Sequence, residues 1–246
     1  MLLGEPPRSQ YDLNFSLFGI PTRVHPFFWL IALVMGSQLR DPIFVLIWVV
    51  AVFVSVLIHE LGHALVMRRY GYYPWITLYG MGGLTSHNQD NYGYSRGSES
   101  LRQVLISLAG PMAGFLLAAA IVLIVFLTGY GDQVYLTIFG PAVGGLPSWQ
   151  LTVFVNFVLF ISVVWGMINL LPIYPLDGGQ IAREFFLKLS TQQGIRQSLM
   201  VSIVCAVLMA AAGLLLLHSF FTALLFGYLA FSNYATLQVY NGRRLW

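Results

Sequence analysis

His59-Glu60-Leu61-Gly62-His63 lies inside an apolar run, Ile43 to Met67, that otherwise carries no charge. Two imidazoles four residues apart fall on one face of a helix, about one turn apart, where both can reach a single metal ion. The carboxylate between them projects to the side, within reach of a water on that metal. Ionisable side chains in a hydrocarbon-compatible helix are costly, so a functional site is the first reading of this pentapeptide. The bland alternative is a pair of satisfied core histidines with a glutamate on the helix surface. It fits poorly, because Val52 to Ile58 before the motif and Ala64 to Met67 after it offer Glu60 little local partner or solvent.

Composition sets the class. The chain has 246 residues, 58% of them hydrophobic and only 9% charged, with a mean hydropathy of +0.76. A soluble domain typically carries about 25% charged residues, so this sequence reads as an α-helical polytopic membrane protein. Its length suits one membrane-embedded domain over 1–246, with a core at roughly 20–190 and a C-terminal helical hairpin at roughly 197–239. The net charge of +3 is small and the basic residues are scattered, which argues against nucleic acid as a partner. The single Cys205 permits no intramolecular disulfide and reads as a small hydrophobe within an apolar run. Residues 1–23 are polar and contain proline, unlike a signal peptide.

Six apolar runs follow, about Val24–Leu39, Ile43–Met67, Leu101–Thr128, Trp149–Leu171, Leu199–Leu217 and Phe220–Val239. Read as transmembrane helices, they give about six spans, although the first is short for the roughly 20 residues a span requires. Phe15–Ile20 reads as a short strand or a membrane-surface segment. Between the second and third runs, Trp75–Tyr79 and Leu84–Ser86 read as strands of a small β-hairpin around Gly80–Gly83, in a polar loop whose Ser98 or Ser100 can cap the next helix. Val134–Phe139 is expected on the membrane surface, and Gln180–Ser190 as an interfacial amphipathic helix with Ile181, Phe185, Phe186 and Leu189 on its apolar stripe. With six spans both termini share a side. If that side is cytoplasmic, every basic residue except Arg40 lies inside or at its boundary, as the positive-inside bias requires. His59 then sits nine residues before Arg68, about 14 Å from the helix end at 1.5 Å per residue, nearer the cytoplasmic face.

A catalytic zinc usually takes three protein ligands and a water, so His59 and His63 need a third partner. The remaining histidines, His25, His87 and His218, read as interfacial or surface residues, with His25 also placed to cap the first run. Asp177 is a better candidate. It lies in Asn169-Leu170-Leu171-Pro172-Ile173-Tyr174-Pro175-Leu176-Asp177-Gly178-Gly179, where two prolines and two glycines interrupt regular backbone. Such backbone is tolerated at membrane depth only when it is buried in protein or lines a wet cavity. The plain alternative is that Asp177 merely caps the following helix, helped by Gln180. A run from Leu151 to Leu171 could by itself span about 31 Å. Asp177 therefore reaches the histidines only if that helix tilts, begins later, or the proline-rich piece folds back.

The His59–His63 motif, the Gly82-Gly83 loop, the Ala109-Gly110-Pro111 element and the Asn169-to-Gly179 stretch together resemble the site-2 proteases, the intramembrane zinc metalloproteases. The resemblance covers most of residues 20–190. It implies Zn2+ as cofactor, His59, His63 and Asp177 as its ligands, Glu60 as general base and acid, and Asn169 as a residue that helps hold substrate. It also implies membrane-protein substrates, single-span or otherwise, within the bilayer. Gly114 departs from the family, which often has Asn there, and neither a PDZ nor a CBS module is visible.

Two other classes compete with a protease. A non-catalytic zinc-containing scaffold has no use for an intact Glu60. A zinc or proton transporter needs polar residues along a path, and the fifth and sixth runs offer almost none. Substrate identity, cleavage position, pathway and oligomeric state are not encoded in any feature of the sequence, and the C-terminal hairpin carries no recognisable role.

Overall fold

The computed structural model describes residues 5–80, 82–87 and 99–242. Ser98, the Met81 of the Gly80–Gly83 turn and the basic residues Arg96, Arg243 and Arg244 lie outside the described residues. The chain divides into two compact units, one within 1–96 and 109–167 and the other within 97–108 and 168–246.

In the first unit the chain opens with β1 (Leu13–Leu17) and β2 (Ile20–Val24), then α1 (Pro26–Gly36) and α2 (Pro42–Arg69), then β3 (Pro74–Tyr79) and β4 (Gly82–His87). The four strands form one sheet in the order β1-β2-β3-β4. Phe15–Ile20 thus spans the turn of a β-hairpin, and the sheet has four strands where two were expected, because strands from before the first helix join those that follow the second. β2 and β3 pair in parallel, Thr22 opposite Ile76 and Val24 opposite Leu78. Hydrogen-bonded neighbours share a location, so α1 leaves the sheet and α2 returns to it.

This explains the short first run. α1 has 11 residues, about 16 Å of helix, against 28 residues and about 42 Å for α2. Phe28 of α1 meets Phe53 edge-on, and Gly36 lies against the Trp48 indole. Helix α1 therefore lines only the first half of α2, and the sheet lies beside the half that carries the histidines. Among the described residues, five helices are long and apolar enough to cross a membrane: α2, α3, α4, α6 and α7, spanning Pro42–Arg69, Glu99–Gln133 with its end turns, Trp149–Asn169, Gly194–Leu215 and Phe220–Gly242, while α1 is a shorter apolar helix. They make the protein a multi-pass helical membrane protein.

The sheet is covered on both faces. Alternation places Ile20, Val24, Ile76 and Leu78 on one face, all at most 1% exposed and packed with Val52, Val56 and Leu61 of α2. Arg23, Trp75 and Thr77 occupy the other. Residues 5–12 strap across that second face: Glu5 accepts from Thr77 Oγ1 (2.7 Å) and pairs with Arg23 (2.9 Å), which also pairs with Asp12 (3.0 Å). Burial alone opposes ionisation of Glu5 and Asp12. For Glu5, hydrogen bonds from Thr77, Arg23 and Trp75 outweigh it; for Asp12, bonds from the Ser9 amide and Arg23 do. Both carboxyls are held below their ordinary range.

The rest of this unit comes from α3 (Glu99–Val125), whose later part runs from Ala109, and from α4 (Trp149–Asn169) up to Met167. Between them lies a hairpin of β5 (Val134–Thr137) and β6 (Gly140–Val143), where a surface segment was expected. Asn156 of α4 holds it by accepting from the Val143 amide (2.9 Å) and donating to the Val143 carbonyl (2.8 Å).

In the second unit, α5 (Asp177–Leu189) is the expected amphipathic helix, and α6 (Gly194–Leu215) with α7 (Phe220–Gly242) forms the expected hairpin. His218, in the turn between them, has φ +48°, and its exposed side chain agrees with a surface role. Cys205 packs beside the apolar cluster of Ile173, Ala206, Phe226, Leu229 and Ala230, as a small hydrophobe would.

Candidate metal centre

Helix α2 continues without a break through His59, Glu60 and His63, and all three side chains are buried. The one-turn spacing brings the two imidazoles together in a T-shaped arrangement, with their Nε2 atoms 3.2 Å apart. Two nitrogens bound to a tetrahedral ion at about 2.0–2.1 Å stand about 3.3–3.4 Å apart. The pair is therefore already spaced as ligands. One ligand atom from each of His59, Glu60 and His63 lies within 4.8 Å of the others. This donor set fits a divalent cation.

Neighbouring glycines make the space. A Cβ on Gly110 of α3 would stand 2.5 Å from His63 Cε1 and 2.7 Å from His59 Nε2. A Cβ on Gly62 would stand 2.7 Å from the Ala113 methyl and 3.0 Å from the Ala109 carbonyl carbon. Gly62, Ala109, Gly110 and Ala113 thus let α2 and α3 cross at close range, as small residues do between membrane helices. Gly114, the departure from the family pattern, faces the Ser162 carbonyl of α4 at 3.1 Å from its ideal Cβ.

Glu60 points at the sheet. Its Oε2 accepts from Thr85 Oγ1 at 2.7 Å, and the same hydroxyl lies 3.1 Å from the Glu60 main-chain oxygen. Gly83, two residues earlier on the same face of β4, leaves room for the carboxylate; a Cβ there would sit 2.5 Å from Glu60 Cδ. Sequence reasoning missed Thr85, because a threonine in a strand is unremarkable until the strand is placed against the helix.

Asp177 is buried in the first turn of α5. Asp177 is the first residue of α5, and its predecessor Leu176 occupies the N-cap position without a side-chain capping bond. Gln180 instead accepts from Gln103 (2.9 Å). The proline-rich piece turns back on itself locally: Ile173 donates to the Leu171 carbonyl and Leu176 to that of Ile173. The two glycines after Asp177 permit this. A Cβ on Gly178 would come within 2.5 Å of the Leu171 oxygen, and one on Gly179 within 2.5 Å of the Ile173 oxygen. The fold-back is clamped from the hairpin, where Ser202 of α6 accepts from the Tyr174 amide (3.0 Å) and Asn233 of α7 donates to the Tyr174 carbonyl (2.6 Å). Asn169, the residue suggested for substrate, is buried at the end of α4. His25 is the N-cap of α1, accepting from the Phe27 amide through Nδ1 (3.2 Å), and His87 stacks near Tyr72 at the end of β4.

Two histidines spaced to hold one ion and a glutamate between them on one helix, inside a multi-pass helical protein, define the class: an integral-membrane protein with a metallopeptidase-type motif. The chain belongs to peptidase family M50, whose family model matches residues 47–212. It is 32% identical over 192 residues to a putative zinc metalloprotease of Synechocystis, and 27% identical over 177 residues to a zinc metalloprotease of Methanocaldococcus jannaschii. Those matches cover 72% and 71% of this chain but 45% of each relative, so the chain spans under half the length of the curated relatives it matches. Its fold is that of the site-2 protease from Methanocaldococcus jannaschii, with a TM-score of 0.58 over 92% of this chain and 95% of that one, at 22% identity.

Proposed function

We propose that this protein is a zinc-dependent endopeptidase that hydrolyses peptide bonds within or next to transmembrane segments of other membrane proteins. The observation that carries this reading is the buried convergence of His59, Glu60 and His63 in a membrane helix. Membership of peptidase family M50 and the names of its zinc metalloprotease relatives support it. His59 and His63 supply two ligand nitrogens, and we assign Asp177 as the third protein ligand, consistent with the resemblance and with its burial. Zinc, when bound, supplies the acidity that lowers a water's pKa toward about 7 and stabilises developing negative charge on a carbonyl oxygen.

The chain's own residues do the rest. Glu60 takes the proton of the attacking water as its oxygen bonds to the scissile carbonyl carbon. Glu60 then passes that proton to the amine that leaves when the C–N bond breaks. A helical substrate must unwind first, because its carbonyls are hydrogen-bonded and shielded. Strand β4 lies at an edge of the sheet, one face against Glu60, and is placed to hold such an unwound piece as an added strand. Helix α2 ends at Arg68 and Arg69, just before β3, so the end of α2 that leads into the sheet is assigned to the cytoplasm.

The test is cleavage of a single-span protein in proteoliposomes by wild type and Glu60→Gln, with zinc content measured alongside. Wild type is expected to cleave and Glu60→Gln to lose about 100-fold or more of the rate while keeping zinc. Zinc-bound wild type that cleaves no membrane substrate defeats the reading in favour of a scaffold.

A further inference from the structure

We propose that Thr85 is the positioning residue for Glu60, an inference that rests on the protease reading above. Glu60 sits on a long side chain between two ligand histidines, and its reach to a water depends on which way its carboxylate turns. Thr85 fixes that direction. Its hydroxyl is 2.7 Å from Oε2, and a carboxylate can only accept, so Thr85 donates. Hydrogen bonds to a charged group are among the stronger ones in proteins. The bond engages one carboxylate oxygen and restricts how the group can turn.

Two further features fit this role better than a packing contact. Gly83 shares the strand face with Thr85 and admits the Glu60 side chain where any Cβ would collide with it. Strand β4 therefore both makes room for the glutamate and ties it down. The Thr85 oxygen also lies 3.1 Å from the Glu60 main-chain oxygen. The hydroxyl proton thus has a second acceptor, reached by rotation about a single bond. Valine, of the same shape, cannot donate the bond to Oε2; serine can.

Full-length Thr85→Val and Thr85→Ser are compared with wild type and Glu60→Gln, reading kcat, KM, zinc content and the Glu60 carboxylate band in infrared difference spectra against Glu60→Gln. Thr85→Val is expected to lower kcat about 10–100-fold with KM and zinc little changed and the band shifted. Thr85→Ser should stay within about threefold of wild type with the band restored, and Thr85→Val should add no further loss to Glu60→Gln. Wild-type kcat in Thr85→Val, equal losses in the Ser and Val variants, or loss of zinc from Thr85→Val would each overturn the proposal. Failure of the protease reading looks different: wild type itself is then inactive, or Glu60→Gln cleaves as wild type does.

Discussion

Gly110 of α3 stands against the Nε2 atom of His59 so closely that one added methyl group would lie 2.7 Å from it. The centre is therefore shaped by a residue with no functional group. Gly110→Ala should push the imidazoles off their 3.2 Å spacing. Metal affinity is expected to fall about 10–100-fold, the range seen when residues that support ligands are changed. Gly227→Ala, where a Cβ meets nothing within 4 Å, is the matched control and should bind metal as wild type does. Zinc titration of the two purified variants checks this.

Asp177 provides a second test through metal retention rather than turnover. With His59 and His63 alone, a tetrahedral site lacks one of its usual three protein ligands. Asp177→Ala is expected to leave well under one zinc per chain after dialysis, whereas Glu60→Gln keeps its zinc. Stoichiometric, tightly held zinc in Asp177→Ala would remove this residue from the ligand set.

The pentapeptide on α2 was legible because its chemistry depends on helical spacing alone, and a helix in an apolar run is the simplest structure a sequence can announce. The same holds for α5, whose stripe of Ile181, Phe185 and Phe186 follows the helical period. What sequence did not disclose depends on contacts between distant segments. The parallel pairing of Thr22 with Ile76 joins residues more than fifty positions apart, and it turns the first apolar run into a half-length helix beside a sheet. Thr85 meets Glu60 for the same non-local reason. Ser202 and Asn233, polar residues in the last two runs, are used by the turned chain at Tyr174, again a contact between distant segments.

The strap over the sheet should be sensitive to acid. Glu5 and Asp12 are both held below the ordinary carboxylate range of about 4. A carboxyl whose folded value is depressed adds stability that is complete above its unfolded value and is lost as pH falls through the folded one. Protection of residues 5–12 against hydrogen exchange should thus be constant from neutral pH to about 5 and decline below about 4. Arg23→Gln removes the buried cation that both acids share, so the strap should loosen at neutral pH and lose part of this acid dependence, the bonds from Thr77 and the Ser9 amide remaining. A strap equally protected in Arg23→Gln and wild type at pH 7 would contradict the argument.

Tyr174 offers a prediction that separates two hydrogen bonds on one residue. Its amide is held by Ser202 and its carbonyl by Asn233, so the two long C-terminal helices both grip the turn that leads into Asp177. Hydrogen bonds between membrane helices average about 0.6 kcal/mol and reach about 1.7. Ser202→Ala should therefore speed exchange of the Tyr174 amide by roughly threefold to twentyfold if local opening governs exchange, since that amide loses its acceptor. Asn233→Leu frees the carbonyl instead and also breaks the bond to Leu229 within α7. It should lower the stability of the turn as a whole, raising exchange evenly from Ile173 to Gly179 rather than at Tyr174 alone. If both variants gave the same residue pattern, the two side chains would be acting through general packing of the hairpin and not through the separate bonds they make.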